Sequence, residues 1–365
     1  MMDQSLLFLP DISGFTKFVQ TTEVEHSQHV IAELLEILIG SNQIGLELAE
    51  IEGDALFFYK EKSIPSLEEF FAQVESMFVN FHSHLKLLEE NRICPCRACS
   101  SAPKLELKII AHAGPLQFIS VQNNRKPFGA EVIEAHRLMK NSVQSDNYVL
   151  ISESLAQALK LPQGFKNDLF QFELGKNEYD GKDVPYRFSV INKLDLQLKP
   201  FILSKKMEFD GPPAIHVEKD FPIAADTLFE YITNYKYRPH WIKGVDRFEY
   251  DENQVTRNGS SHACVINNQH FNFQSVIKDV APGQLVYGEL TFDPPPMDEL
   301  YQFYILTPLS EHSCKLEIEV YWKSGSPIKK LMLASIVKMK FRQTLKGSLT
   351  NLYKYAVEGK SLQLS

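Results

Sequence analysis

Two aspartates stand at turns where a carboxylate can meet a cation: Asp11 in LPDISGFTKF and Asp54 in EIEGDALFF. Gly14 lets the chain turn after the first of them, so that amides at the start of the next helix point outward, a place for a phosphate. Hard oxygen ligands brought to one point suit Mg²⁺ or Mn²⁺ carrying a polyphosphate. Taken singly, each aspartate also fits a common structural use, Asp11 as a helix N-cap and Asp54 as a turn residue. A second group is Cys94, Cys96 and Cys99 in CPCRAC. Three thiolates at that spacing can surround one soft ion such as zinc, with His82, His84 or His112 as the fourth donor. The plain alternative is three idle thiols in a loop.

The elements that must position these residues follow from periodicity. Alternation in SLLFLPDI gives a strand ending at Pro10 and Asp11, and GFTKFV opens a helix. VEHSQHVIAELLEILIG repeats apolar residues at helical spacing, and IGLELAEI with ALFFYK reads as a hairpin whose tip holds Gly53 and Asp54. SLEEFFAQVESMFVNFHSHLKLLEEN is a long amphipathic helix opened by a Ser and Glu capping pattern. KLELKIIAHAG and PLQFISVQ form a second strand pair, and AEVIEAHRLMKNS a further helix. The order is βαββαβ, the ferredoxin-like plan, with an added strand (YVLIS), helix (SLAQALKL) and closing strand (PYRFSVI). In such a sheet the first strand and the hairpin are neighbours, which brings Asp11 and Asp54 together.

The two segments D-I-S-G-F-T and E-I-E-G-D-A resemble the metal-binding segments of class III adenylyl and guanylyl cyclases. ELKIIAHAGPLQF is similar to that family's central strand pair and FGAEVIEAHRL to its G-D-x-V-N-x-A-x-R segment, so the resemblance spans roughly residues 5 to 191. It implies two metals at Asp11 and Asp54, the carbonyl of Ile12 as a further ligand, and a purine nucleoside triphosphate whose phosphates meet Ser13, Gly14, Phe15 and Thr16. It also implies a paired homodimer in which Arg137 of one subunit completes the site of the other.

This chain departs from the family at three places. Where the family has an Asn that orients the ribose, Ile133 stands, although the transition-state Arg is kept as Arg137. Ile cannot donate a hydrogen bond, and losing one oriented contact of this kind costs on the order of 10² to 10³ in rate. In the purine-selecting pair Glu50 is retained but its partner is Lys126, able to bridge Glu50 and fill the base pocket. The phosphate-binding Lys falls loosely on Lys182. The resemblance thus implies a degenerate module, weakly active or inactive, with an active cyclase forming cAMP or cGMP as the alternative.

After KLDLQLKPFILSKK and Gly211 the pattern changes. A strand, a helix pair broken at Pro239, six strands and a long C-terminal helix from about Pro327 to Tyr355 resemble the START-like helix-grip superfamily of polyketide cyclases and lipid-transfer domains. The helix carries Leu333, Ile336, Val337, Phe341, Leu345, Leu349 and Leu352 on one face. The resemblance implies an apolar cavity for a hydrophobic small molecule, and the aromatics available to line it include Phe229, Trp241, Phe271, Phe273, Tyr287, Phe303 and Tyr321. Alternating aromatics on strands are also ordinary core. His216, His240, His262 and His270 lie on separate elements with no carboxylate at a fixed spacing, and read as surface or satisfied histidines.

The fold class is therefore α+β, with a cyclase-type domain over 1–193, a linker over 194–211 and a helix-grip domain over 212–365. A net charge of -8, from 38 Lys and Arg against 46 Asp and Glu, argues against a nucleic-acid partner. No apolar run is long enough to span a membrane, the start carries no signal pattern, and five cysteines with three crowded together fit a reducing cytoplasm. A third reading makes the second domain a carrier and the first a dimerisation scaffold.

Overall fold

The computed structural model describes residues 3–359 apart from 123, 180, 202–205, 253, 326–332 and 334–336. The expected start of the last helix at Pro327, and Ile336 on its apolar face, lie outside the described residues. The chain forms two compact units, Met1–Leu87 with Ser101–Phe201, and Leu88–Ser100 with Ile202–Ser365.

The first unit begins with β1 (Ser5–Ser13), α1 (Phe15–Thr21), α2 (Val24–Gly40), β2 (Glu47–Glu52), β3 (Ala55–Lys60) and α3 (Leu67–Glu90). The chain then enters the second unit, where α4 (Arg97–Ser101) closes the excursion. It returns as β4 (Glu106–Gly114), β5 (Gln117–Val121), β6 (Asn124–Phe128), α5 (Ala130–Leu138), β7 (Tyr148–Ser152), α6 (Glu153–Ala158), β8 (Glu173–Tyr179) and β9 (Lys182–Val190). The sheet order is β2-β3-β1-β4-β7-β9-β8. Its first four strands, antiparallel and ordered 2-3-1-4, have the split β-α-β arrangement of ferredoxin-like folds. β1 is central and buried at every position, which explains its run of large apolar residues. Ser66 and Glu69 cap α3 reciprocally: the Ser66 amide donates to Glu69 at 2.8 Å and the Glu69 amide to Ser66 Oγ at 3.2 Å.

Two local expectations are corrected. The first strand does not end at Asp11 but runs on to Ser13, because β4 pairs with it as far as Ser13↔Glu106. Asp11 is therefore a strand residue, and Gly14, at φ 88°, caps α1. Nor does β4 pair with β5. Both edges of β4 are taken by β1 and β7, so β5 folds back on β6 in a separate two-stranded ribbon.

The second unit contains β10 (Ile215–Phe221), α7 (Ala225–Thr233), β11 (Arg247–Glu249), β12 (Ser261–Ile266), β13 (Gln269–Val276), β14 (Leu285–Phe292), β15 (Glu299–Ser310), β16 (Ser313–Lys323) and α8 (Lys338–Glu358). Its seven strands form one antiparallel sheet in the order β10-β16-β15-β14-β13-β12-β11. Leu345, Leu349 and Leu352 of α8 pack with Leu228 and Ile232 of α7 and with Ile318 and Val320 of the sheet in one apolar core. Gly288 is needed where it stands, because a Cβ there would meet the Phe303 ring at 2.4 Å and the Val276 carbonyl at 2.8 Å.

Candidate functional site

At the end of β1, Asp11 lies across from Ala55 of β3 and Lys108 of β4. The Ile12 amide donates to the Asp54 carbonyl at 3.1 Å, fixing the β2–β3 hairpin tip against β1. The sheet thus brings the two acidic segments together. Asp11 is 7% exposed, and burial raises its carboxyl above the usual range while Lys108, with Nζ 3.4 Å from Oδ2, pulls it back. Asp54 is pushed up to about 6, first by burial and then by the negative charge of Asp11. The Ile12 side chain is fully buried, so its part in any site is played by its backbone. Ser13, two residues beyond Asp11 and on the same face of the strand, has a buried Oγ with no hydrogen-bond partner.

These residues fit a divalent cation. The Asp11 carboxylate already holds one ammonium at 3.4 Å, Asp54 feels the charges of both, and the buried Ser13 hydroxyl on the same strand face as Asp11 lacks a partner. Lys108 is the member that sequence reasoning missed. Its signal was register: in an antiparallel pair of known alignment, the residue facing Asp11 is fixed.

Glu50 on β2 and Lys126 on β6 form an ion pair of 2.9 Å, each side chain about half exposed. Ile133 and Arg137 sit one turn apart on the outer face of α5, and Ile133 is 55% exposed. That helix is fastened from beneath by buried His112, whose Nε2 lies 2.7 Å from Glu131. Gly114 leaves room for that carboxylate, which a Cβ would approach to 2.2 Å. His136, 3.6 Å from Glu52, ties α5 to the hairpin. Phe15 and Thr16 open α1, and Lys182 starts β9 at an exposed hairpin.

The histidines considered as zinc ligands have other partners. His82 meets Asn147 at 2.9 Å, His84 meets Glu33 at 2.8 Å, and His112 meets Glu131. Burial pushes His82 down to about 4, so it is a neutral ring.

In the second unit a cavity of about 590 Å³ opens between sheet and helix. Of the seven aromatics expected there, Trp241, Phe271 and Phe273 line it. The other four do not. Phe229 belongs to the α7 core, and Tyr287 is fully buried with its hydroxyl between Tyr235 and Glu289. Phe303 and Tyr321 face the other side of the sheet, where Phe209 stacks on Tyr321 with ring centres 3.9 Å apart. Strand alternation is the reason: Leu300, Gln302 and Tyr304 point into the cavity, so Phe303 cannot.

The cavity wall also holds Arg238 and Glu289. The expectation that the histidines lack carboxylates is corrected as well. His262 Nε2 lies 3.4 Å from Glu289, His216 3.3 Å from Glu317 and His270 3.4 Å from Glu249, while His240 stacks on Tyr355. Burial pushes His262 down to about 4 and keeps its ring neutral.

A sequence family described as proteins of unknown function, DUF2652, matches residues 31–148. An uncharacterized protein of Mycobacterium tuberculosis is 30% identical over 129 residues, which is 35% of this chain and 60% of that protein. The chain thus spans less than two thirds of the length of the curated relative it matches. Among solved structures, the catalytic core of a rhodopsin-guanylyl cyclase in complex with ATPalphaS is 16% identical at a TM-score of 0.39, covering 52% of this chain and 97% of that one. The adenylyl cyclase CyaB from P. aeruginosa is 20% identical at a TM-score of 0.39, covering 54% and 98%. The guanylate cyclase domain of RhGC from Catenaria anguillulae, in complex with GTP, is 18% identical at 0.35, covering 52% and 98%. No described helix is long and apolar enough to cross a membrane.

Proposed function

We propose that the first unit binds a divalent cation and, with it, a purine nucleoside triphosphate, and that it turns the nucleotide over weakly or not at all. One observation carries this reading: Asp11 at the end of β1 and Asp54 in the tip of the β2–β3 hairpin are held side by side by the Ile12 amide, which donates to the Asp54 carbonyl at 3.1 Å, and burial together with the Asp11 charge pushes Asp54 up to about 6. Asp11, Asp54 and the backbone of Ile12 would hold Mg²⁺ or Mn²⁺, which when bound supplies positive charge to a polyphosphate. Ser13 to Thr16 would meet the phosphates. Two features speak against rapid turnover. Ile133 offers no hydrogen bond where a ribose needs one, and Lys126 neutralises Glu50, a group suited to reading a purine edge. A homodimer through the first unit would let Arg137 of a second copy reach the phosphates, and exposed Phe128 and Ile133 supply apolar surface near it.

The second unit we read as a START-like, helix-grip module for a mainly apolar small molecule, supported by its cavity between an antiparallel sheet and α8. The two modules together make a cytoplasmic sensor or signalling protein. Calorimetry of the full chain with Mn²⁺ and GTP or ATP, followed by product analysis, tests the nucleotide reading. Binding without appreciable cyclic product is the expected result. Robust cyclic product that disappears in Asp54→Ala would establish an active cyclase instead. No binding at all would leave the first unit as a scaffold and the second as a carrier.

A further inference from the structure

Cys94, Cys96 and Cys99 are three of the five cysteines in the chain, yet the Asp11–Asp54 site uses none of them. Their sulfurs lie within 4.8 Å of one another. None is in a disulfide, Cys94 and Cys99 are buried and Cys96 is half-buried. In a tetrahedral zinc site with Zn–S bonds of about 2.3 Å, the sulfurs stand about 3.8 Å apart, so small side-chain rotations bring these three to a common ion.

One backbone amide is aimed at sulfur. Cys96 stands just before α4, and the amide of Cys99 donates to its Sγ at 3.3 Å. The Ser100 amide donates to the Cys96 carbonyl at 3.0 Å and locks the turn. An N–H aimed at sulfur favours thiolate over thiol and is the kind of outer contact that orients metal ligands. The segment is also held in place just before the cluster's first residue: Ile93 packs on the core of the second unit, and the Asn91 carbonyl accepts the Asn258 amide at 2.8 Å.

We infer that Cys94, Cys96 and Cys99 hold one thiophilic divalent ion, zinc foremost, as three thiolates, with a neutral nitrogen or oxygen donor in the fourth position. A site of this closed, sulfur-rich kind is structural, and it pins the excursion between α3 and β4. It is independent of the nucleotide reading, since it uses soft ligands on a different segment.

The test uses the full chain, purified without chelator and assayed for bound metal by mass spectrometry. About one zinc per chain is expected, unchanged in Asp54→Ala and lost in Cys94→Ser with Cys99→Ser. Because those variants can fail to fold, the wild-type protein reloaded with Co²⁺ supplies a second reading. The visible bands of a tetrahedral ion, a thiolate charge-transfer band, and X-ray absorption showing three sulfurs at about 2.3 Å support the site. Folded protein without stoichiometric metal whose three thiols all react freely overturns it, as does a native disulfide between any two of them.

Discussion

Arg238 Nη2 lies 2.9 Å from Glu289 Oε1 in the wall of the second unit's cavity, with both side chains almost completely withdrawn from solvent. The guanidinium sits among four aromatic rings, those of Tyr235, Trp241, Tyr287 and Tyr304, with centres 5.3 to 5.6 Å away. Burial alone would raise Glu289, but the Arg238 charge, helped by the Tyr287 hydroxyl, holds it below the usual carboxylate range. The ion pair lacks the alignment of a hydrogen bond at Nη2.

Removing one partner should therefore be costly. Arg238→Met leaves Glu289 buried and uncompensated, and is expected to lower stability by about 3–5 kcal/mol. The double change Arg238→Met with Glu289→Leu should recover most of that loss. Chemical denaturation of the three proteins checks it; a double variant as unstable as the single one would show that the cost is lost packing rather than a stranded charge.

Asp54 gives a second prediction, with the sign set by its raised pKa. The folded state holds this proton from about pH 4 up to about 6 while the unfolded state releases it near 3.8, so ionisation lowers stability as pH rises through that window. Asp54→Asn should thus be more stable than wild type at pH 7 in chelator, by about 1 kcal/mol after allowing for solvent at this half-buried group, and should match it at pH 4. In the wild type Mn²⁺ competes with the same proton, so its apparent affinity should fall about tenfold per pH unit below 6. Thermal melts and Mn²⁺ titration across pH 4–8 read both effects.

A third prediction separates binding from chemistry. Lys126→Ala frees Glu50 and should tighten GTP binding in Mn²⁺ several-fold. Ile133→Asn alone should add little turnover while Lys126 remains, but the two changes together should raise it by about 10²-fold. Equal rates in wild type and double variant would mean that neither position limits the reaction.

Much of the first unit was legible in the sequence because its signals are local. The capping pair Ser66 and Glu69, the apolar stripe of α3 and the glycine turn at Gly14 each specify their own neighbourhood. What stayed hidden depends on partners far along the chain. Lys108 is an unremarkable strand lysine until β4 is aligned with β1. Phe303 and Tyr321 look like cavity residues until the face of each strand is fixed, and Arg238 lies in an aromatic stretch, YKYRPHW, that gives no hint of Glu289. The fate of β5 depended on both edges of β4 being taken, which no window of sequence reports.

The excursion of residues 88–100 into the second unit means that the two units are not joined by one thread but by three crossings of the chain. A fragment ending near residue 201 would carry that segment without Asn258 or the core that Ile93 packs on. During synthesis the same segment must wait for those partners, which leave the ribosome long after α3 and β4 are made. The second half of the chain is in this sense a template for part of the first.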